Sequence, residues 1–253
     1  MHIIDTHAHL EEIADLDTAL NRAKKAGVVA IIAVGVDLAS NKRILEIADN
    51  YRGFVYPALG LHPGNLGDIA HREAVFQQIE SNLERVVAIG EIGLDYYYKE
   101  ARKEGEVRQS QRQAFKRVLN LARDSGKPAL IHSRGSWQDC LALAQESKVK
   151  KAVFHWFSGP LDVLDKIMAV GYFISASPAA EYSPPHRQAI AKVPVEKLIL
   201  ETDSPVAYKG IVAEPSHVLK TLKAVATLRN SSEELIAVKT TSNAKGLFQL
   251  ALD

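Results

Sequence analysis

The chain has 253 residues, of which 47% are hydrophobic and 24% are charged, and its formal net charge is +1. This length suits one large domain or two small ones, and the composition is that of a globular protein with a sizeable core. A charge so close to zero excludes a global basic field that attracts nucleic acid or membranes, so any polyanion must be held locally. No apolar run approaches the roughly 18 residues of a membrane span, and a single cysteine excludes an internal disulfide.

The compartment is predicted from the start of the chain and from its one thiol. The first predicted core strand begins at residue 3, which leaves no signal peptide, so we expect a cytoplasmic protein. Cys140 lies in an apolar helical stretch with Trp137 and Leu141, which predicts a buried structural thiol rather than a nucleophile. We expect no membrane contact and no obligate protein partner.

Short apolar runs alternate with helical patterns along the whole chain. The first predicted strand begins at residue 3, and the others cover residues 28–34, 55–61, 86–90, 129–131, 152–154, 172–175 and 198–200. The predicted helices cover residues 17–26, 74–83, 110–125, 137–145, 215–229 and 233–250, and two more begin at Ser40 and Pro160. Ser231 and Glu234 match a capping box before the last helix.

This alternation predicts an α/β protein. Eight strands alternate with helices without a linker or a low-complexity break, and a right-handed repeat of this length closes most naturally into a barrel. We therefore expect one (β/α)8 TIM barrel over residues 1–253, with an extra C-terminal helix. An open doubly wound sheet is the alternative, but it would have a glycine-rich turn where this chain has His7-Ala8-His9.

Residue types that bind metal ions follow five of the predicted strands. They are His7 and His9 after the first strand, Glu91 after the fourth, His132 after the fifth, His155 after the sixth and Asp203 after the eighth. Catalytic residues of barrels come from the C-terminal ends of several strands, so these six side chains are expected to converge and bind metal. His62 ends the third strand on the same face, but Pro63 stiffens the loop beside it. We therefore assign His62 to the substrate side rather than to the ligands.

Four imidazoles and two carboxylates exceed the needs of one tetrahedral ion. They suit two divalent ions that share a bridging carboxylate, and the ligand types allow Zn, Mn or Mg. Charge counting favours phosphate chemistry: two divalent ions with Glu91, Asp203 and a hydroxide carry one positive charge, which one phosphodiester neutralises. An ester or amide substrate with a carboxylate of its own would balance the charge equally well.

Six motifs resemble the signatures of the TatD family, whose members are metal-dependent hydrolases often described as deoxyribonucleases. The motifs are Asp5-Thr6-His7-Ala8-His9, Gly60-Leu61-His62-Pro63, Gly90-Glu91-Ile92-Gly93-Leu94-Asp95-Tyr96, Ile131-His132-Ser133-Arg134, His155-Trp156-Phe157-Ser158-Gly159 and Glu201-Thr202-Asp203-Ser204-Pro205. Their order and spacing also match, and Gln111 and Phe115 fit the helix after the Glu91 strand. The resemblance extends from residue 5 to residue 205 and so covers most of the chain.

The resemblance implies a distorted TIM barrel of the metal-dependent hydrolase type and a division of the ligands. The first ion would be held by His7, His9, Glu91 and Asp203, and the second by His132 and His155 with Glu91 bridging. One departure concerns Ala213, because family members commonly have Asn two residues before the proline that is Pro215 here. This departure leaves the metal ligands intact but puts the shape of the loop over the substrate in doubt.

The function expected from these residues is hydrolysis of phosphodiester bonds in nucleic acid, most simply at the ends of single-stranded DNA. Glu91 and Asp203 are the candidate catalytic residues, with Asp203 orienting the water or accepting its proton. His62, Arg134 and Lys209 are the candidate phosphate contacts.

Two other functions stay open at this point. The first is an ester or amide hydrolase with the same metals, such as an aminoacyl-tRNA deacylase. The second is a binding protein that has kept the site without turnover. The three tyrosines at 96–98 either stack on bases or pack the loop.

Overall fold

The computed structural model of the chain describes residues 1–252, in which eight parallel strands pair in sequence order to form a nearly closed barrel. The strands are β1 Ile3–Ala8, β2 Val28–Val34, β3 Val55–Leu61, β4 Ala88–Gly93, β5 Ala129–His132, β6 Ala152–Phe154, β7 Phe173–Ala176 and β8 Leu198–Leu200. The segment after β8 closes the ring, because the His9 amide donates to the Ser204 carbonyl at 2.8 Å. The prediction of a (β/α)8 TIM barrel is confirmed.

Helices surround this barrel. They are α1 Leu16–Lys25, α2 Leu38–Asn50, α3 Ile69–Ser81, α4 Lys99–Lys103, α5 Gly105–Ser125, α6 Trp137–Glu146, α7 Leu161–Ala169, α8 Pro184–Lys192, α9 Val218–Leu228 and α10 Glu233–Phe248. Short 3-10 helices cover Leu10–Glu12, Pro178–Glu181, Val195–Lys197 and Pro215–His217, and a hairpin of β9 Ala207–Tyr208 and β10 Ile211–Val212 follows β8. None of these helices, all within residues 1–252, is long and apolar enough to cross a membrane. The cytoplasmic location and the assignment of residues 1–253 to one domain stay predictions.

The structure corrects several element boundaries. The helix expected at residues 110–125 begins five residues earlier, at Gly105, and β4 continues through Glu91 to Gly93. Helix α8 was not predicted, although Pro184 and Pro185 at its first two positions are typical of a helix start. The helix expected at residues 215–229 begins as a 3-10 turn before α9.

Two predicted helix caps are also wrong. Asp37, not Ser40, caps α2: the Ser40 amide donates to the Asp37 carboxylate at 2.8 Å, and the Asp37 amide donates to the Ser40 hydroxyl at 2.9 Å. Two capping residues three positions apart look alike in sequence, and only the extended backbone of Asp37 decides which one precedes the helix. Likewise Ser232, and not Ser231, accepts from the Leu235 amide at the start of α10.

The apolar core has two layers that follow the alternation of side chains along the strands. Residues such as Ile3 and Ile31 face outward against the helices, whereas their neighbours Ile4 and Ile32 form a smaller cluster inside the barrel. The end of α10, including Phe248, packs onto this inner cluster. The extra C-terminal helix therefore packs against the barrel interior, and the C-terminal ends of the strands lie together at the mouth.

A buried amide connects α2 to β3 near that mouth. Asn41 donates from Nδ2 to the Gly60 carbonyl at 2.9 Å, and its Oδ1 accepts from the Gly60 amide at 3.0 Å. Asn41 is fully buried, so water cannot replace these bonds if the amide is removed.

We predict that Asn41→Ala lowers the free energy of unfolding by about 2–4 kcal/mol, because it leaves two buried backbone groups unpaired. Urea denaturation measures the change. The control is Asn21→Ala, at an exposed position on α1, which should change stability by less than about 0.5 kcal/mol. Equal effects of the two substitutions would show that the paired bonds to Gly60 contribute nothing.

Candidate metal centre

Two histidines and two carboxylates meet at the mouth of the barrel. The Nε2 atoms of His7 and His9 each lie 3.5 Å from Oε2 of Glu91, and they lie 3.5 and 3.4 Å from Oδ1 of Asp203. Four ligands at about 2.1 Å from a tetrahedral ion lie about 3.4 Å from one another, so the spacing fits a shared ion. Neither ring nitrogen of buried His7 has a hydrogen-bond partner among the described residues. Because buried polar atoms are nearly always paired, this donor set fits a metal ion.

The other oxygen of Glu91 faces a second pair of histidines. Oε1 lies 2.8 Å from Nδ1 of His132 and 2.9 Å from Nε2 of His155, and these two nitrogens are 3.3 Å apart. The structure therefore brings all six predicted ligands together, with Glu91 between two groups. This arrangement fits two ions that share one carboxylate.

Barrel closure positions the first group. The Asp203 amide donates to the His7 carbonyl at 2.9 Å, which ties the segment after β8 to the end of β1. Asp203 has φ 53°, in the left-handed region that aspartate tolerates better than most residues. The closing contact and this backbone conformation turn its carboxylate toward the two histidines of β1.

Further hydrogen bonds fix which ring nitrogens face the site. His9 uses Nδ1 to contact the Val34 carbonyl at 3.0 Å, so Nε2 is free to face the carboxylates. His132 is held the opposite way, because its Nε2 lies 2.8 Å from Oδ2 of Asp95 and its Nδ1 faces Glu91. A carboxylate behind a metal-binding histidine commonly sets the orientation of the ring in this manner.

The carboxylates make the centre attractive to cations. Burial is the largest single effect on Glu91 and raises its pKa, but the charges and hydrogen bonds of the surrounding histidines, His155 and His132 among them, outweigh it and hold the pKa well below the usual value. Glu91 therefore stays ionised, although it is only 3% exposed. An ionised carboxylate in so dry a place strongly favours a positive partner.

The same field acts on the histidines. Burial, the largest effect, lowers the pKa of His9, but the hydrogen bond with Asp203 and the charges of Glu91 and Asp203 raise the pKa to about 10. The pKa of His132 is also raised despite burial, chiefly through Asp95. Metal ions bind neutral imidazole, so ion binding must displace these protons and should strengthen as the pH rises.

The centre opens into a cavity of about 590 Å³. Beyond the metal-type residues, the cavity wall includes the side chains of Tyr97, Tyr98, Arg134, Trp156 and Val206. It therefore combines a charged floor with aromatic and cationic walls, and a small part of a larger substrate can enter it.

The family described as TatD related DNase matches residues 4–249 of the chain. The chain belongs to this TatD family. It is 33% identical over 259 residues to the human protein "Deoxyribonuclease TATDN3", covering 97% of this chain and 94% of the human protein. It is 30% identical over 259 residues to the metal-dependent hydrolase YabD of Bacillus subtilis strain 168, covering 98% and 99% of the two chains.

A solved structure of a TatD homologue has the same fold. The crystal structure of the TatD homologue YjjV from Escherichia coli K12 aligns with a TM-score of 0.89 at 30% identity, over 98% of both chains. The prediction of a metal-dependent hydrolase of the TatD type is confirmed.

His62 lies beside the second group in this TatD-family site. Its Nε2 is 3.7 Å from Oε1 of Glu91, and its Nδ1 accepts from the Gly64 amide at 3.0 Å. Burial lowers the pKa of His62 to about 3, so the ring is neutral. Because Nδ1 accepts, the proton of the neutral ring is on Nε2, which faces the site as a donor. The ligand atoms of His62, Glu91 and His132 also lie close enough together to hold an ion, so the substrate-side role of His62 stays a prediction.

The two predicted basic contacts differ in position. Arg134 lines the cavity, where Asp95 accepts from its Nε at 2.8 Å and the guanidinium lies 5.2 Å from the Tyr98 ring centroid. Lys209 is exposed and outside the cavity lining, at the turn of the β9–β10 hairpin, with its Nζ 5.1 Å from the ring of Tyr182. Arg134 is therefore placed to contact a bound group directly, and Lys209 only to contact an extension of it.

The three tyrosines divide in the same way. Tyr96 is tied to α6, because its hydroxyl donates to Asp139 at 2.6 Å. Tyr97 and Tyr98 are 52% and 36% exposed and line the cavity. Two of the three tyrosines, Tyr97 and Tyr98, are therefore positioned at the cavity, whereas Tyr96 packs away from it.

The loop that carries the Ala213 departure is well packed. The Ala213 amide donates to the Val206 carbonyl at 3.1 Å, and its side chain is buried against Tyr208 and Ala179. The small side chain fills an apolar gap at the base of the β9–β10 hairpin. Here the base of the loop is held by a backbone bond that needs no asparagine.

Sequence reasoning missed two buried carboxylates that support the histidines. Asp95 orients His132 as described, and Glu201 accepts from the Trp156 amide at 2.9 Å while lying 3.6 Å from Nδ1 of His155. Glu201 could also face an ion, since His7, His155 and Glu201 form a third compact group of ligand atoms. The sequence signal for Glu201 was its position directly after β8 and two residues before Asp203.

We predict that Gly60→Ala disturbs the centre although residue 60 is not a ligand. A Cβ there would lie 2.4 Å from both the amide nitrogen and the carbonyl oxygen of Glu91, so β3 and β4 must move apart. Bound metal and activity should both fall, with activity falling about 10- to 100-fold. Metal analysis of the purified variant and a circular dichroism spectrum distinguish this local effect from unfolding.

The control for this prediction is Gly105→Ala at the start of α5, where nothing lies within 4 Å of the added methyl group. It should keep native metal content and activity. Native behaviour of Gly60→Ala as well would show that the centre tolerates displacement of Glu91.

Proposed function

We propose that this TatD-family hydrolase is a cytoplasmic phosphodiesterase that uses two divalent ions, Zn, Mn or Mg, to cleave single-stranded DNA at its ends. The observation that carries the proposal is that the two oxygens of the Glu91 carboxylate face different pairs of histidines. Oε2 lies near His7 and His9, and Oε1 lies near His132 and His155. A shared carboxylate in an open cavity suits the pair of ions used in phosphoryl displacement. The name of the human relative, a deoxyribonuclease, supports DNA as the substrate.

The division of ligands follows the two groups. His7, His9, Glu91 and Asp203 would hold the first ion, and His132, His155 and Glu91 the second. When bound, these ions supply a Lewis acid for the phosphoryl oxygen and lower the pKa of water.

The chain's own residues then orient the reactants. Asp203 lines the cavity beside the first group, where its carboxylate orients the attacking water and accepts its proton. The Nε2–H of His62 donates to a phosphoryl oxygen from the opposite side, near the second group. Asp95 accepts from Nε of Arg134, which leaves the terminal nitrogens free to bind a phosphate.

Bases adjoin the cut phosphate, and the cavity offers them flat surfaces. Tyr97, Tyr98 and Trp156 line it, and base–aromatic stacking contributes about 1–3 kcal/mol per base. Stacking of this kind requires unpaired bases, which favours a single strand over a duplex. Lys209, outside the cavity, contacts the next phosphate along the strand.

The proposal is tested with chelated protein, to which Mg, Mn and Zn are added back separately. Turnover of single-stranded DNA, a generic phosphodiester and an aminoacyl-tRNA is then compared. We expect restored turnover of DNA. Turnover of the aminoacyl ester alone would replace the proposal with an ester hydrolase, and turnover of none of them with ions bound would favour a binding protein.

We predict that Glu91→Gln abolishes turnover without unfolding the barrel. The amide keeps the shape of the side chain but removes the charge that holds two ions together. Metal analysis should show clear loss of metal relative to Glu84→Gln, a matched change at an exposed position. Full metal content with near-native activity would contradict the bridging role.

We also predict that His132→Ala and His155→Ala each weaken one ion more than the other. The first ion keeps His7, His9 and Glu91, so about half of the bound metal should remain in each variant. The measurement is a metal titration in which bound metal and activity are followed together. The exposed His2→Ala serves as the control. Simultaneous loss of both ions from a folded variant would show that the division into two groups is wrong.

A further inference from the structure

A second concentration of positive charge lies outside the catalytic cavity. It is a cleft of about 390 Å³ between α1 and the start of α9. Its basic lining residues are Arg22, Lys25, His217, Lys220 and Lys223. In a chain whose net charge is only +1, this grouping is a local excess and not part of a general basic surface.

The lysines of this basic cleft have no acidic partner. Lys25, Lys220 and Lys223 are exposed, and none of them forms an ion pair with any residue of the described range. Arg22 differs, because it makes a two-pronged contact with the Glu214 carboxylate, with its Nε 2.9 and 2.8 Å from the two oxygens. The guanidinium thus neutralises Glu214 beside the cleft, and the lysines are left to attract an anion.

The remaining acids near the cleft do not cancel this charge. Asp15 acts on Arg22 and Glu181 acts on His217, each from a distance at which only the charge is felt. Burial, the largest effect, lowers the pKa of His217, so His217 is neutral near pH 7. Three lysine charges therefore remain without compensation.

The cleft lies on the outside of the barrel, and the Arg22–Glu214 contact connects it to the hairpin beside the catalytic cavity. Glu214 directly follows Ala213, whose amide donates to the carbonyl of Val206, and Val206 lines the cavity. The base of the β9–β10 hairpin thus has the catalytic cavity on one side and the Arg22–Glu214 contact on the other. A strand that leaves the cavity over this base and continues along the outside of the barrel between α1 and α9 reaches the lysines.

We propose that the basic cleft between α1 and α9 binds the phosphodiester backbone of the same nucleic-acid strand, several nucleotides from the bond that is cut. This inference rests on the proposed function. It makes the enzyme prefer longer strands, because a dinucleotide fills the cavity without reaching the cleft. The three lysines act as point charges on successive phosphates, and this contact does not depend on base sequence.

The test compares a dinucleotide with a single strand about 12 nucleotides long. The variant Lys25→Glu/Lys220→Glu/Lys223→Glu should lower the ratio of kcat/KM for the long strand to kcat/KM for the dinucleotide about 10-fold or more. Its binding of the long strand should also become less dependent on salt. Loss of three contacts reduces the slope of log affinity against log salt by about 2, at about 0.7 per phosphate.

Two further variants control for charge and for folding. Lys127→Glu/Lys148→Glu/Lys150→Glu makes the same change of charge next to the starts of β5 and β6, across the barrel from α1 and α9, and should keep the native ratio and slope. Lys25→Gln/Lys220→Gln/Lys223→Gln removes charge without reversing it and should give a smaller loss of the same kind. Thermal denaturation checks that each variant is folded.

The outcomes separate this inference from the proposed function. If the native enzyme cleaves both substrates and the cleft variants match it in ratio and slope, the inference is wrong and the proposed function stands. If the control variant loses as much as the cleft variant, the effect is one of net charge and the inference is again wrong. If the native enzyme cleaves neither substrate but hydrolyses another ester, both proposals fail together.

Discussion

The position of one carboxylate constrains the rest of the molecule. Glu91 is buried within β4, and its two oxygens face different pairs of histidines that come from three other strands. An ionised carboxylate in a dry interior is costly unless positive groups surround it, so every neighbouring element must hold its histidine in place. Strand β3 comes closest to Glu91 at Gly60, where the register between β3 and β4 is irregular.

The same backbone hydrogen bonds close the barrel and assemble the candidate metal centre. The backbone bonds between β1 and the segment after β8 join His7 to Asp203 and His9 to Ser204. The bonds that complete the ring are thus the bonds that bring the first pair of histidines to their carboxylate. A change that loosens the seam between β1 and β8 should therefore weaken metal binding before it unfolds the outer helices.

In the proposed function, different parts of the site bind different parts of the substrate. A neutral His62, with its proton directed at the site, and a partly exposed Arg134 would contact the phosphate at the floor of the cavity. Aromatic walls would contact the bases, and the lysines between α1 and α9 would contact the backbone beyond the hairpin. On this proposal, a chain of low net charge binds a polyanion because its cations are grouped along the path of the strand.

The sequence by itself determined the barrel, its metal-binding residue types and its family, because buried parallel strands leave strong apolar runs and strand ends place His7, Glu91 or Asp203 at one face. Residues that act through local chemistry, such as the proline beside His62, could also be interpreted without coordinates. Only the tertiary structure showed that Asp95 and Glu201 support the histidines, since a buried carboxylate and an exposed one look the same in sequence. It also separated Tyr96 from its two neighbours, because the Tyr96 hydroxyl contacts Asp139 on a different helix. It joined lysines from α1 and α9 as well, because contacts between the two ends of the chain depend on closure of the ring and not on any local pattern.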